Sequence, residues 1–167
     1  MTSNTLIRLR NFAILALIQV FIFGQIHLFG YATAYVYIIF LLKLPRLTSR
    51  NELLIWAFLF GLVVDMFGNT PGINACAATA MAFARNYILG IFTLKGFADD
   101  FTPGVQTIKW SGYAMYSGLC IALFCTVLYI LELFTVQYPL TLLAGVAGST
   151  MLTMLFTLVI ECFTHRK

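Results

Sequence analysis

The residues best placed to do chemistry are the few that ionise inside long apolar stretches. Asp65 lies in Gly61-Leu62-Val63-Val64-Asp65-Met66-Phe67, and Arg85, followed by Asn86, lies two-thirds of the way along a later stretch. Ionisable groups in such positions usually face a helix bundle or a water-filled cavity, where they relay protons, hold ions or pair with another charge. Asp65 has two readings: a functional carboxyl group of this kind, or a structural one that simply reaches the interface or accepts from backbone N–H groups at the start of the next helix, whose dipole favours an anion. Asn69, Thr70 and Asn74 add hydrogen-bonding groups around it. Arg85 either snorkels to the membrane interface or is buried and paired, for example with Glu161 or with the acid of a partner. Glu132 and Glu161 sit near helix ends and are expected to be solvated. His27 stands alone in a turn and offers neither a metal site nor a catalytic base.

Enzymatic patterns are missing from the sequence. It has no Gly-rich phosphate loop, HExxH, nucleophile elbow or carboxylate pair at helical spacing. The chain therefore reads as non-enzymatic, with no catalytic, cofactor-binding or metal-ligating residues. An ion pump would need several intramembrane ionisable groups or paired broken helices, and only Asp65 and Arg85 qualify. Cys76, Cys120, Cys125 and Cys162 lie in apolar stretches without a CxxC pair and read as small packing residues.

The elements that must position these residues follow from composition. Hydrophobic residues make up 61% of the 167 and charged residues 10%, against about 25% charged in a soluble domain; the mean hydropathy is +0.93. The fold expected is an all-α membrane protein, a compact bundle of six transmembrane helices in a single domain over 1–167. The spans are expected at about 9–26, 29–44, 51–67, 73–94, 111–134 and 140–163. The block from Asn11 to Leu44 is too long for one span of about 20 residues and just enough for two, broken at Gly24-Gln25-Ile26-His27-Leu28-Phe29-Gly30. The first span lacks a small-residue cleavage site and reads as a retained anchor. Pro45 closes the second span and Ser49 is placed to cap the third. Gly68-Asn69-Thr70-Pro71-Gly72 is a cluster of turn formers, Lys95 to Lys109 is the one extended polar loop, and Gln137-Tyr138-Pro139 is a short turn. Ala144, Gly145, Ala147, Gly148 and Ser149 in the last span serve either a partner interface or packing within the bundle.

Charge supplies an independent reading of orientation. The net charge is +4 with ten basic residues, scattered singly between apolar spans, a pattern of membrane topology and not of nucleic-acid binding. Six crossings put the N-terminus, the 43–50 loop, the 85–109 region and the C-terminus on one face, and all ten basic residues belong to that face. The positive-inside rule makes it the cytoplasmic face. The turns near Gly24, Gly68 and Gln137 are then outside, and both termini are cytoplasmic.

The stretch Gly61-Leu62-Val63-Val64-Asp65-Met66-Phe67-Gly68-Asn69-Thr70-Pro71-Gly72-Ile73-Asn74-Ala75 resembles the junction of the third and fourth helices in the rod shape-determining MreD family. Asn74 stands where many members carry histidine, and Pro71 is followed directly by Gly72. The resemblance implies a multi-pass protein of the cytoplasmic (inner) membrane. It would act as a non-catalytic scaffold of the cell-wall elongation complex (the elongasome), supporting cell shape and peptidoglycan synthesis through an MreC-like protein. RodA-like and penicillin-binding synthases, MreB and membrane lipid are further partners it implies, with no nucleic acid and no cofactor. The residues it carries over are Gly61, Asp65, Asn69, Pro71, Gly72 and Asn74. The family is also distantly like the substrate-binding subunits of energy-coupling-factor vitamin transporters, and that gives the alternative.

The orientation makes a direct prediction. With the four native cysteines replaced, Gly68→Cys should react with an impermeant maleimide from outside intact cells, and Arg46→Cys only after permeabilisation. Reaction of both from one side would overturn the six-crossing reading.

Overall fold

A computed structural model of the chain describes residues 2–21, 27–28, 32–70, 72–93, 101–133 and 139–165. Six helices and one minimal strand pair follow in order: α1 (Thr2–Phe21), β1 (His27–Leu28), β2 (Ala32–Thr33), α2 (Ile38–Leu42), α3 (Arg50–Gly68), α4 (Ile73–Phe92), α5 (Val105–Leu133) and α6 (Pro139–His165). The strands pair antiparallel, His27 opposite Thr33 and Leu28 opposite Ala32. Four helical segments among the described residues are long and apolar enough to cross a membrane: Arg50–Gly68, Ile73–Phe92, Val105–Glu132 and Leu143–Phe163.

Six spanning helices is therefore a correction to make, because the count of helices holds and the count of spanning helices does not. In α1, Arg8 and Arg10 fall in the first half, so the uninterrupted apolar part is confined to the second half; residues 22–26 of the expected 9–26 span lie outside the described residues. The larger departure is at 29–44. Its described residues form β2, an extended stretch and a turn, and only then the five-residue α2.

That non-helical backbone is buried, and three side chains satisfy it. Gln19 of α1, 2% exposed, donates from Nε2 to the Ala34 carbonyl at 2.9 Å, while its Oε1 accepts from the N–H groups of Val36 at 2.8 Å and Tyr37 at 3.4 Å. From α6, Ser149 Oγ accepts from the Thr33 N–H at 3.0 Å and Thr153 Oγ1 from the Tyr35 N–H at 3.1 Å. Irregular backbone is tolerated at membrane depth only where protein covers and bonds it. The following residues, Ile38 to Leu42, are all buried. The 33–44 segment is thus the filling of the bundle and not one of its walls. Tyr37 stacks on Phe60 of α3 with ring centroids 5.2 Å apart, and Phe124 of α5 meets both Tyr35 and Tyr37 edge-on. Phe12 of α1 joins Phe40, Trp56 and Phe60.

The walls face outward with large apolar side chains, among them Ile55, Phe58 and Met66 on α3 and Met151 and Leu155 on α6. Hydrocarbon, not water, solvates such a surface without cost. Ser49 caps α3 as expected: its Oγ accepts from the Glu52 N–H at 3.3 Å, with Glu52 in the first turn. The helix expected to begin at 111 begins at Val105 instead, but it breaks at Lys109, whose φ of 63° and ψ of 163° are non-helical. The continuous helix starts after that break, close to the expected boundary.

Gln19→Leu removes a donor and an acceptor that the buried 34–37 backbone has no water to replace. Each unpaired buried group costs about 1–3 kcal/mol. The variant should unfold well below the wild type in a detergent thermal-stability assay, while Leu17→Ala, at an exposed position, should not; equal midpoints would show that Gln19 does not hold the segment.

Candidate functional site: the α3–α4 junction and the buried arginine

α3 and α4 are forced together by what is missing at Gly61. A Cβ there would lie 2.6 Å from the Asn74 carbonyl carbon and closer still to the Ala75 backbone, so only glycine admits this approach. One helical turn later, Asp65 lies on the same face of α3 and reaches the first turn of α4. Asp65 is 5% exposed, and four donors converge on its carboxylate. Oδ1 accepts from the Thr70 hydroxyl at 2.8 Å and from the backbone N–H and side-chain amide of Asn74, both at 3.0 Å; Oδ2 accepts from the Ala75 N–H at 2.9 Å. Two of these are backbone N–H groups that the start of a helix leaves unpaired. The negative charge sits at the positive end of the α4 dipole, which stabilises it without a cation.

The turn between the helices takes the backbone forms its residues suit. Asn69 closes α3 in the left-handed region at φ 53°, and Gly72 opens α4 at φ 83°. Left-handed conformations are cheap for glycine and tolerable for asparagine. The Asn74 amide also donates to Thr70 Oγ1 at 3.3 Å. Gly61, Asp65, Asn69, Gly72 and Asn74 are thus brought together as the sequence indicated, and Pro71 lies outside the described residues. Of the two readings of Asp65, the cap is the one realised. A shallow cavity of about 320 Å³, lined by Leu62, Asp65, Met66, Asn69 and Gly72, lies beside it.

Arg85 does not snorkel. It is fully buried, and its partners are neutral oxygens. Nε donates to the Tyr116 hydroxyl at 3.0 Å, Nη1 to Asn86 Oδ1 at 3.2 Å, and Nη2 to the Leu42 carbonyl at 3.1 Å and the Leu44 carbonyl. The Tyr116 hydroxyl donates to the Leu42 carbonyl as well, at 3.3 Å. Carbonyls at a helix C-terminus lack intrahelical partners and carry partial negative charge, so the guanidinium caps the end of α2. Pairing with Glu161 does not occur.

Glu161 is occupied elsewhere, and it is buried where solvation was expected. Its Oε2 lies 2.7 Å from Lys43 Nζ, and Oε1 accepts from the Val105 N–H at 3.2 Å. Glu132 is exposed. The ion pair joins the end of α6 to the loop after α2 and to the start of α5. Arg8 pairs with Glu52 at the same end, and the Arg46 N–H donates to the Phe101 carbonyl at 3.0 Å. Of the cysteines, Cys120 and Cys125 are buried, as packing residues would be, and Cys76 and Cys162 are exposed.

Sequence reasoning missed Gln19, Tyr116, Lys43 and the inner face of α6. That face carried a readable signal: Ser149, Thr153, Thr157 and Glu161 recur every four residues and are all buried. Gly145 precedes them by four and packs on the Tyr129 ring, which settles the packing role for Gly145 and Ser149, while Ala144 and Ala147 face outward.

Among the described residues, no group of three His, Cys, Asp or Glu side chains is placed to hold a metal ion. The chemistry this arrangement performs is hydrogen bonding between elements. Asp65→Ala should therefore lower stability by about 2 kcal/mol or more, since it strands two N–H groups and an amide, and Gly61→Val should prevent α3–α4 closure. Thermal unfolding of purified protein measures both, and a wild-type midpoint for Gly61→Val would refute the close approach. Comparison of the chain with protein-family models, with curated proteins and with solved structures gives no match.

Proposed function

We propose that this chain is a non-catalytic membrane scaffold of the bacterial cell-wall elongation complex, an MreD-like protein that helps maintain rod shape through contact with an MreC-like partner. The observation that carries the reading is the closure of the Gly61–Asn74 junction. The residues that support the family resemblance are those that lock two helices into one rigid hairpin, and Asp65 spends its acceptors on that lock instead of facing a transport path. A rigid hairpin presents a fixed outer face to a partner's spanning helix, where close packing and not the hydrophobic effect drives association.

The proposed topology has six crossings in the inner membrane with both termini in the cytoplasm. The second crossing is made by the 33–44 segment in place of a full helix. It is bonded to Ser149 near its start and to Glu161 near its end, twelve residues apart on α6. At 1.5 Å per residue that interval covers about 18 Å of depth. The contacts Arg8–Glu52, Lys43–Glu161 and Arg46–Phe101 gather the basic segments at one end, in agreement with a single positive face.

Depletion in a rod-shaped host should round the cells, and an MreC-like protein should co-purify with the wild type. Gly61→Val should lose both shape rescue and co-purification. Normal shape on depletion, together with a stoichiometric vitamin found in the purified protein by mass spectrometry, would replace this reading with the transporter subunit.

A further inference from the structure

Between α1 and α2, at the end where the basic segments gather, the bundle surface opens into a groove of about 250 Å³. Its rim carries Arg8, Asn11 and Lys43, and its walls are Ile14, Leu15 and Ile39. The groove is thus divided along its length, cationic at the bundle end and aliphatic toward the bundle middle. On the rim, Arg8 and Lys43 are ion-paired with Glu52 and Glu161, and Arg10, Arg46 and Arg50 lie on the same described segments, so these segments together carry more positive than negative charge. Arg8 and Lys43 keep part of their surface exposed, with side chains 27% and 28% accessible.

We propose that this groove holds one phospholipid with an anionic headgroup, its phosphate against Arg8, Asn11 and Lys43 and one acyl chain along Ile14, Leu15 and Ile39. Two observations select this occupant over another. The walls are apolar and belong to a surface bathed in hydrocarbon, so an acyl chain is the natural filler. The rim adds two part-exposed cations, each paired on one side with a carboxylate, on segments that carry three further arginines, and basic pockets between spanning helices select anionic lipids by the same attraction. A zwitterionic headgroup offers the phosphate but brings its own cation to a positive rim. The lipid would join α1 to the buried 38–44 segment on the side where α1 has few neighbours. The inference is independent of the cell-wall reading, since it requires no partner protein.

The test is native mass spectrometry of the full chain in mild detergent, titrated with equal amounts of chain-matched phosphatidylglycerol and phosphatidylcholine. The wild type should retain one phosphatidylglycerol with roughly ten-fold preference, the size expected from an excess of basic residues near a charged headgroup. Arg8→Gln should reduce that preference several-fold while leaving phosphatidylcholine adducts unchanged. Ile14→Trp, at a position 48% exposed where folding is not at stake, fills the aliphatic half and should cut retention of both lipids with the charges intact. Equal retention of the two lipids by the wild type, or undiminished phosphatidylglycerol binding in Ile14→Trp, would overturn the proposal; it survives a misfolded Arg8→Gln only if the other two results hold.

Discussion

A bilayer offers no water to an unpaired backbone group, and the whole arrangement of this bundle follows from how one stretch of irregular chain meets that constraint. The carbonyls of Tyr35, Val36 and Tyr37 accept from the first N–H groups of α2, but the Ala34 carbonyl and the N–H groups of Thr33, Tyr35, Val36 and Tyr37 need partners from neighbouring elements. Gln19 uses both ends of its amide, donating to one carbonyl and accepting from two N–H groups. Ser149 and Thr153 supply hydroxyls from the opposite side. Those three side chains fix the rotation of α1 and α6 about their axes, because each must point at the same central strand of chain. The aromatic packing of Tyr35, Tyr37, Phe60 and Phe124 is then a consequence: with the backbone of 34–37 held in place, the side chains of Tyr35 and Tyr37 both reach the core.

Two buried charges extend the same logic to helix ends. Asp65 accepts from the free N–H groups of α4, and Arg85 donates to the free carbonyls after α2. Each charge sits at the helix terminus of opposite polarity, so neither needs a counter-ion of the kind that buried charges usually demand. Both residues belong to the α3–α4 hairpin, one at its turn and one on the far half of α4. Through them the hairpin grips its own turn and the central segment, with Tyr116 of α5 closing the second grip. An ionisable residue inside a membrane is a functional candidate by default, yet here the candidates are spent on holding the fold.

How far the sequence could be read depended on whether a feature was local. The 51–67 helix, its Ser49 cap and the α3–α4 turn were legible, since capping, turn chemistry and glycine spacing are written in neighbouring residues. The helix expected at 29–44 was not, because its apolar content satisfied a length rule while its conformation depends on Gln19 and α6. A local hint was present in Tyr31-Ala32-Thr33-Ala34-Tyr35-Val36-Tyr37, where β-branched and aromatic residues alternate with small ones, as strands prefer. Arg85 and Glu161 were misjudged for the same reason: a charge reads as solvated until the groups that bury it, here the Leu42 and Leu44 carbonyls and Lys43, can be seen.

Replacing a helix by an extended segment also changes what the bundle can be. A continuous second helix would need its own side-chain-packed interface with every neighbour, at the usual 8–10 Å between axes. An extended backbone is thinner, so the surrounding elements close around it, and the small hydroxyl-bearing residues Ser149 and Thr153 allow α6 to approach it directly, while Gly145 lets α6 meet the Tyr129 ring of α5. Rigidity is thus concentrated inside, where Gln19, Asp65, Arg85, Ser149 and Thr153 are consumed in fixing one conformation, and the faces of α3 and α6 left outward are apolar, so what these faces can offer a neighbour is shape and not hydrogen bonds.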